Sequence, residues 1–167
     1  ERPSAEAELV VEVTINEAVP FIKRILKSGL VPMLWGDPGI GKSFSYSQIA
    51  KENKLLLIDC RLSTYDPTDL NGIPAGEGNR RVFKLPAEFP LITDKVPDKY
   101  NGWLIVFDEL TSVNPAMQAA AYKIILDRKI GDVPLHPQAY CCAAGNKLTN
   151  RAVTHRMSTA LQSRMVH

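Results

Sequence analysis

The segment Gly36-Asp37-Pro38-Gly39-Ile40-Gly41-Lys42-Ser43 constrains this chain more than any other, because it sets glycines, a lysine and a hydroxyl at the spacing GxxxxGK[ST]. Apolar Val31 to Trp35 precedes it as a short buried strand, and a helix is expected from about Lys42 to Glu52. In that context the glycines let the backbone turn so that its N–H groups surround a β-phosphate, while the new helix adds the positive end of its dipole. Lys42 then reaches the β- and γ-phosphates, and Ser43 offers its hydroxyl to Mg²⁺. Asp37, Pro38, Ile40 and Phe44 complete the candidate nucleotide-binding set. An accidental glycine-rich turn is the competing reading, and the strand and helix on either side count against it.

The rest of the pattern alternates strands with helices. Thr14-Ile15-Asn16-Glu17 reads as a capping box, and Val19, Ile22, Ile25 and Leu26 recur at helical spacing until Gly29. Leu55 to Asp59 is a second strand, apolar enough to be covered on both faces. Leu104 to Phe107 is a third, Pro115 to Asp127 an alanine-rich helix, and Tyr140 to Ala144 a fourth strand. Met157 to Ser163 is expected to be helical, and Met165-Val166-His167 to open a fifth strand. Between Cys60 and Tyr100 the pattern breaks up: Asp66-Pro67 starts a short helix, Gly76-Glu77-Gly78-Asn79 is turn chemistry, and Arg81 to Leu85 alternates like a hairpin arm. This order implies an α/β domain with a parallel sheet and helices on both faces. One domain is expected over residues 1–167, with an extension and helix at 1–29 and the core at 30–167.

Two further stretches carry chemistry. Trp103-Leu104-Ile105-Val106-Phe107-Asp108-Glu109 is an apolar strand ending in two acids. Asp108, at the carboxyl end of a strand beside the phosphate loop, suits the hydration shell of Mg²⁺, and Glu109 suits polarisation of an attacking water. Acids that merely mark an exposed strand end are the alternative, which the upstream loop disfavours. Asn146 follows Ala143-Ala144-Gly145. If the fourth strand lies between the two already placed, it emerges beside the γ-phosphate and helps orient water; a turn asparagine next to glycine is the other reading.

Composition adds limits. The 167 residues are 45% hydrophobic and 23% charged with a formal net charge of +2, so no strong field argues for nucleic acid or an anionic membrane. The longest apolar stretches fall far short of the roughly 20 residues needed to cross a bilayer, so a soluble, cytoplasmic protein is expected. The missing initiator Met implies a processed, trimmed or partly unseen start. Cys60, Cys141 and Cys142 all lie in strand-like runs and are expected as buried thiols, with the adjacent pair on opposite faces. Without a Cys-x-x-Cys, and with only His136, His155 and His167, a metal held by Cys and His is not expected.

Taken together these residues resemble the AAA+ ATPases, and within them the MoxR-like branch, from about Leu30 to His167. Gly36 to Ser43 is similar to Walker A, Phe107 to Glu109 to Walker B, and Asn146 to sensor 1. Asp69-Leu70-Asn71-Gly72 resembles the branch's DLLG segment, and Asn114-Pro115-Ala116-Met117-Gln118 its NRAPPxxQ helix start. The resemblance implies a P-loop NTPase fold with strand order 5-1-4-3-2, ATP and Mg²⁺ as ligands, and a homo-oligomeric ring, usually a hexamer, hydrolysing at its interfaces. It assigns Gly72 to Leu85 to a hairpin inserted in the helix between strands two and three. Arg80, Arg81 and Lys84 there either touch a substrate or are simply solvated. Arg164 resembles an arginine finger acting in trans, with Arg156 and Arg151 as fallbacks; a dipole or salt-bridge partner is the plainer role. The implied work is remodelling of a protein client, or of a partner carrying a von Willebrand-type adaptor. Nothing after His167 matches the family's helical lid, so a fragment or a protein seen in part is expected, and Lys129 to Leu135 is short for a presensor hairpin.

Two other classes remain. A GTPase-like switch would use Asn146-Lys147-Leu148-Thr149, although Thr149 stands where guanine needs an acid and Thr111 where a switch glycine belongs. A DNA-associated motor, such as a helicase loader, is argued against by the near-neutral charge and the lack of an aromatic-basic stripe.

Overall fold

Helix α1 (Ile15–Lys27) begins where the sequence places a capping box: the Thr14 N–H and hydroxyl both donate to Glu17 Oε2, at 2.9 and 2.7 Å. It ends as expected at Gly29, where the Gly29 and Leu30 N–H groups fold back onto the Leu26 and Ile25 carbonyls. The computed structural model describes residues 14–37, 39, 41–77, 80–84, 88–146 and 165–166.

Among the described residues five strands form the sheet: β1 (Val31–Trp35), β2 (Leu55–Arg61), β5 (Gly102–Asp108), β8 (Ala139–Gly145) and β9 (Met165–Val166). They are ordered β2-β5-β8-β1-β9, and each neighbouring pair is parallel. Counted as the core strands one to five, this is 5-1-4-3-2, the expected order. β1 leads through a loop into α2 (Lys42–Glu52), and β5 leads into α4 (Pro115–Asp127), whose start is capped by Asn114 Oδ1 accepting from the Met117 N–H at 2.9 Å.

Burial follows position in the sheet. All of Gly102 to Phe107 in central β5 is buried, and the side chains alternate between two cores. Leu104 and Val106 pack with Cys142 and Ala144 of β8 against α1 and α2; Ile105 and Phe107 pack with Cys141 and Ala143 against α4. Each of the larger side chains among these, Leu104, Ile105, Val106 and Phe107, contributes roughly 1.5–3 kcal/mol by its burial. The expectation that the second strand is covered on both faces is corrected. β2 is the sheet's edge strand, its burial alternates, and Leu57 and Asp59 are exposed where Leu55 and Cys60 are buried. All three cysteines are buried and free, and the adjacent pair does point into opposite cores.

Between β2 and β5, a short 3₁₀ turn (Leu62–Thr64) and helix α3 (Pro67–Asn71) precede an antiparallel hairpin of β3 (Ile73–Glu77) and β4 (Arg80–Lys84). The hairpin is where the resemblance puts it, but it is not inserted in a continuing helix. Helix α3 stops at Asn71 before Gly72, and among the described residues 88–101 no helix resumes. That return segment packs through Phe89, stacked 6.4 Å from Phe107, and through Leu91, which bridges to Leu135. The side chains of Arg80, Arg81 and Lys84 lie outside what is described. Lys129 to Leu135 contains a second small hairpin, β6 (Lys129–Ile130) with β7 (Val133–Pro134). The helix expected over Met157 to Ser163, and the segment from Lys147 to Thr149, lie outside the described residues.

Candidate functional site

The loop leaving β1 passes through Gly39 at φ +82° and Gly41 at φ +94°. These left-handed conformations are strained for any residue with a side chain, and a Cβ on Gly39 would meet nothing within 4 Å, so backbone shape alone sets the requirement there. Gly41 is also the N-cap of α2 and supplies no side-chain cap, which leaves the first-turn N–H groups of Lys42, Ser43 and Phe44 free of a capping side chain. The loop's other side is tied to β8 by the Gly36 N–H donating to Gly145 O at 3.2 Å. Pro38 and Ile40 lie outside the described residues.

Lys42 turns back across this loop. Its ammonium donates to Gly36 O at 2.7 Å, Asp37 O at 3.4 Å, Gly145 O at 3.1 Å and Asn146 Oδ1 at 3.0 Å. Partial burial lowers its pKa, while the negative charges of Asp108 and Asp37 work against that shift. Asn146 therefore emerges beside the lysine, as the interleaving of β8 between β5 and β1 requires.

Ser43 and Asp108 meet from neighbouring elements, the serine hydroxyl donating to Asp108 Oδ2 at 3.3 Å. The other carboxylate oxygen accepts from the Glu109 N–H at 2.8 Å. Glu109 itself stands at φ +62°, an uncommon conformation for a residue with a side chain, and is held there by the Ser112 N–H on its carbonyl at 2.9 Å. A hydroxyl beside a carboxylate is a hard oxygen pair of the kind Mg²⁺ takes together with water and phosphate oxygens. Among the described residues no cluster of three or more His, Cys, Asp and Glu could hold a metal without such help. The thiols are no substitute: burial pushes Cys60 up to about 12 and Cys141 up to about 11.

The structure thus brings together Gly36, Asp37, Gly39, Gly41, Lys42, Ser43, Asp108, Glu109 and Asn146 at the carboxyl ends of the central strands, with Phe44 exposed on the first turn of α2. Arg164, Arg156 and Arg151 lie outside the described residues.

Sequence reasoning missed three participants. Thr111, fully buried, accepts the Asn146 N–H at 2.9 Å and donates to the Asn146 carbonyl at 3.3 Å. Tyr46, fully buried in α2, donates its hydroxyl to the Ala143 carbonyl and so fastens the helix of the phosphate loop to the sheet; burial holds its pKa well above the usual phenol value. Asp59, at the carboxyl end of β2, has its pKa raised by loss of water and by the charge of Asp108, with Arg61 opposing. Of these only Tyr46 had a signal in the sequence, its place three residues before Ile49 on the inward face of a helix.

No protein-family model and no curated protein sequence matches the chain. Solved structures do. One, from Cytophaga hutchinsonii and assigned as an ATPase, aligns over 94% of this chain with a TM-score of 0.60 at 20% identity. NtrX from Brucella abortus aligns over 84% with a TM-score of 0.52 at 15% identity. The chain spans 47% and 32% of the lengths of those two. Among the described residues no helix is long and apolar enough to cross a membrane. Strand order, the glycine loop between β1 and α2, and these neighbours give the chain the P-loop NTPase fold.

Proposed function

We propose that this chain binds ATP with Mg²⁺ and hydrolyses it, as the nucleotide-handling core of a MoxR-like AAA+ ATPase that assembles as a ring and remodels a protein partner. The observation that carries the reading is the convergence of Lys42, Ser43, Asp108, Glu109 and Asn146 from three separate segments onto one end of the sheet. The assignment of the Cytophaga neighbour as an ATPase supports it. The MoxR-like branch rests on Asp69 to Gly72 and Asn114 to Gln118, with Asn114 serving as the α4 cap.

In this reading the loop N–H groups and Lys42 hold the β- and γ-phosphates. Ser43 and Asp108 would hold Mg²⁺, largely through water, and the ion would neutralise charge on the phosphate oxygens. Glu109 takes up the proton of the attacking water, and Asn146 helps orient that water. Arg164 of a neighbouring subunit completes the charge compensation. No step needs a covalent enzyme intermediate, so positioning and electrostatics supply the acceleration.

The test is Glu109→Gln in the intact protein. ATP affinity is expected to stay within about threefold while turnover falls by about 10²-fold or more, as for loss of a general base. Undiminished hydrolysis removes Glu109 from the reaction, and a calorimetric titration giving no heat with any nucleoside triphosphate plus Mg²⁺ removes the whole reading.

A further inference from the structure

The loop after β5 and the loop after β8 are stitched together. The Leu110 N–H donates to Ala144 O at 3.0 Å, the Asn146 N–H donates to Thr111 Oγ1 at 2.9 Å, and the Thr111 hydroxyl donates to Asn146 O at 3.3 Å. The last two grip both ends of one residue's backbone. Asn146 is then left with its side chain as the free variable, and that is fixed by charge. Oδ1 accepts from the Lys42 ammonium at 3.0 Å, which forces the amide nitrogen to the other side, toward Ser112 Oγ at 3.5 Å.

The fit at this point is tight. A Cβ on Gly145 would lie 2.9 Å from both Thr111 Cγ2 and Thr111 Oγ1 and 2.6 Å from Met33 Cε, so only glycine admits the threonine so close to the β8 backbone. Thr111 is fully buried, and without its hydroxyl the Asn146 N–H loses the acceptor it has among the described residues.

We infer that Thr111 is a positioning residue: through its two hydrogen bonds it sets Asn146 relative to Glu109, so that the acid and the amide address the same γ-phosphate and water. This rests on the ATPase reading above. It adds a separable element, because Thr111 touches neither the phosphate loop nor the proposed metal ligands in any contact described.

Removing the hydroxyl while keeping the shape separates positioning from packing. In the intact protein, Thr111→Val is expected to lower kcat by about 10²-fold, the scale of a misplacement near 1 Å, with ADP affinity within about threefold and the preference for ATP over ADP reduced. Thr111→Ser, which keeps the donor and acceptor, is expected to stay within about threefold of the parent in both. If the valine variant does not fold, Thr111→Ala removes the same hydroxyl without added bulk and must show the same split.

The inference is overturned if the hydroxyl-free variants hydrolyse ATP at the parent rate, if the serine variant falls as far as they do, or if ADP binding is lost in step with turnover. A parent protein that neither binds nor hydrolyses nucleotide ends the ATPase reading and this inference with it. An active parent with an indifferent Thr111 ends this inference alone.

Discussion

The loops that leave β1 and β5 both pass through left-handed backbone, the first at Gly39 and Gly41 and the second at Glu109. In the first, the groups that the proposed function uses are backbone N–H donors, so glycine supplies the shape at no steric cost. In the second, the group that the proposed function uses is a carboxylate, and a side chain occupies a conformation that costs about 1–2 kcal/mol. That cost is offset locally: Glu109 is bracketed by its own N–H on Asp108, by the Ser112 N–H on its carbonyl, and by the Leu110 N–H on Ala144. The contrast teaches that unusual backbone at this site falls on a non-glycine only where a side chain must stand at that point.

The comparison can be broken most severely at Gly41. Gly41→Ala is expected to destabilise the fold by about 1–2 kcal/mol in chemical denaturation, and to weaken nucleotide binding by about tenfold or more, because the α2 N-terminus cannot keep its angle. An alanine variant of parental stability and affinity would show that the loop tolerates another path.

A pH titration gives a smaller effect. Burial lowers the Lys42 pKa from its ordinary 10.5, so the ammonium is fully present below that depressed value and is lost as pH rises through it. ATP affinity is therefore expected to fall at a pH where an exposed lysine is still charged. Over the same window stability changes with the opposite sign: the unfolded chain holds more protons there, so relief of the buried charge favours the fold as pH rises. An affinity that is flat up to the ordinary lysine value removes Lys42 as the titrating contact.

The smallest expected effect sharpens the contrast. Glu109→Gly relieves the left-handed strain and is expected to raise stability by up to about 1 kcal/mol, offset in part by a floppier unfolded chain, while turnover is lost. A stability loss instead would mean that the glutamate side chain contributes more to the fold than its backbone strain removes.

Most of the architecture was legible because local signals agreed with it. Pro115 to Asp127 is the helix its proline and alanines announce, and the capping box at Thr14 forms with the partners its spacing names. The glycine loop between β1 and α2 was legible because one short segment carries the whole backbone requirement. Composition misled at Leu55 to Ile58, where an apolar run suits a doubly covered strand and an edge strand alike; only the sheet order decides. Asn146 could be read only through that order, and Thr111 not at all, since its partner lies 35 residues away and a buried threonine after two acids has no periodic mark.

At the far end of the sheet from the nucleotide loop, a Cβ on Gly102 would stand 2.2 Å from the Gln138 carbonyl, the same oxygen that accepts from the Trp103 N–H at 3.0 Å. That contact acts as a dowel. It locks the stagger of two rods at one end, and the lock is felt five pairs later, where Phe107 comes level with Ala143. Each residue of slip would displace the rods by about 3.3 Å. The alignment of an acid on one rod with an amide on the other is thus set in part by the absence of a methyl group at the opposite pole.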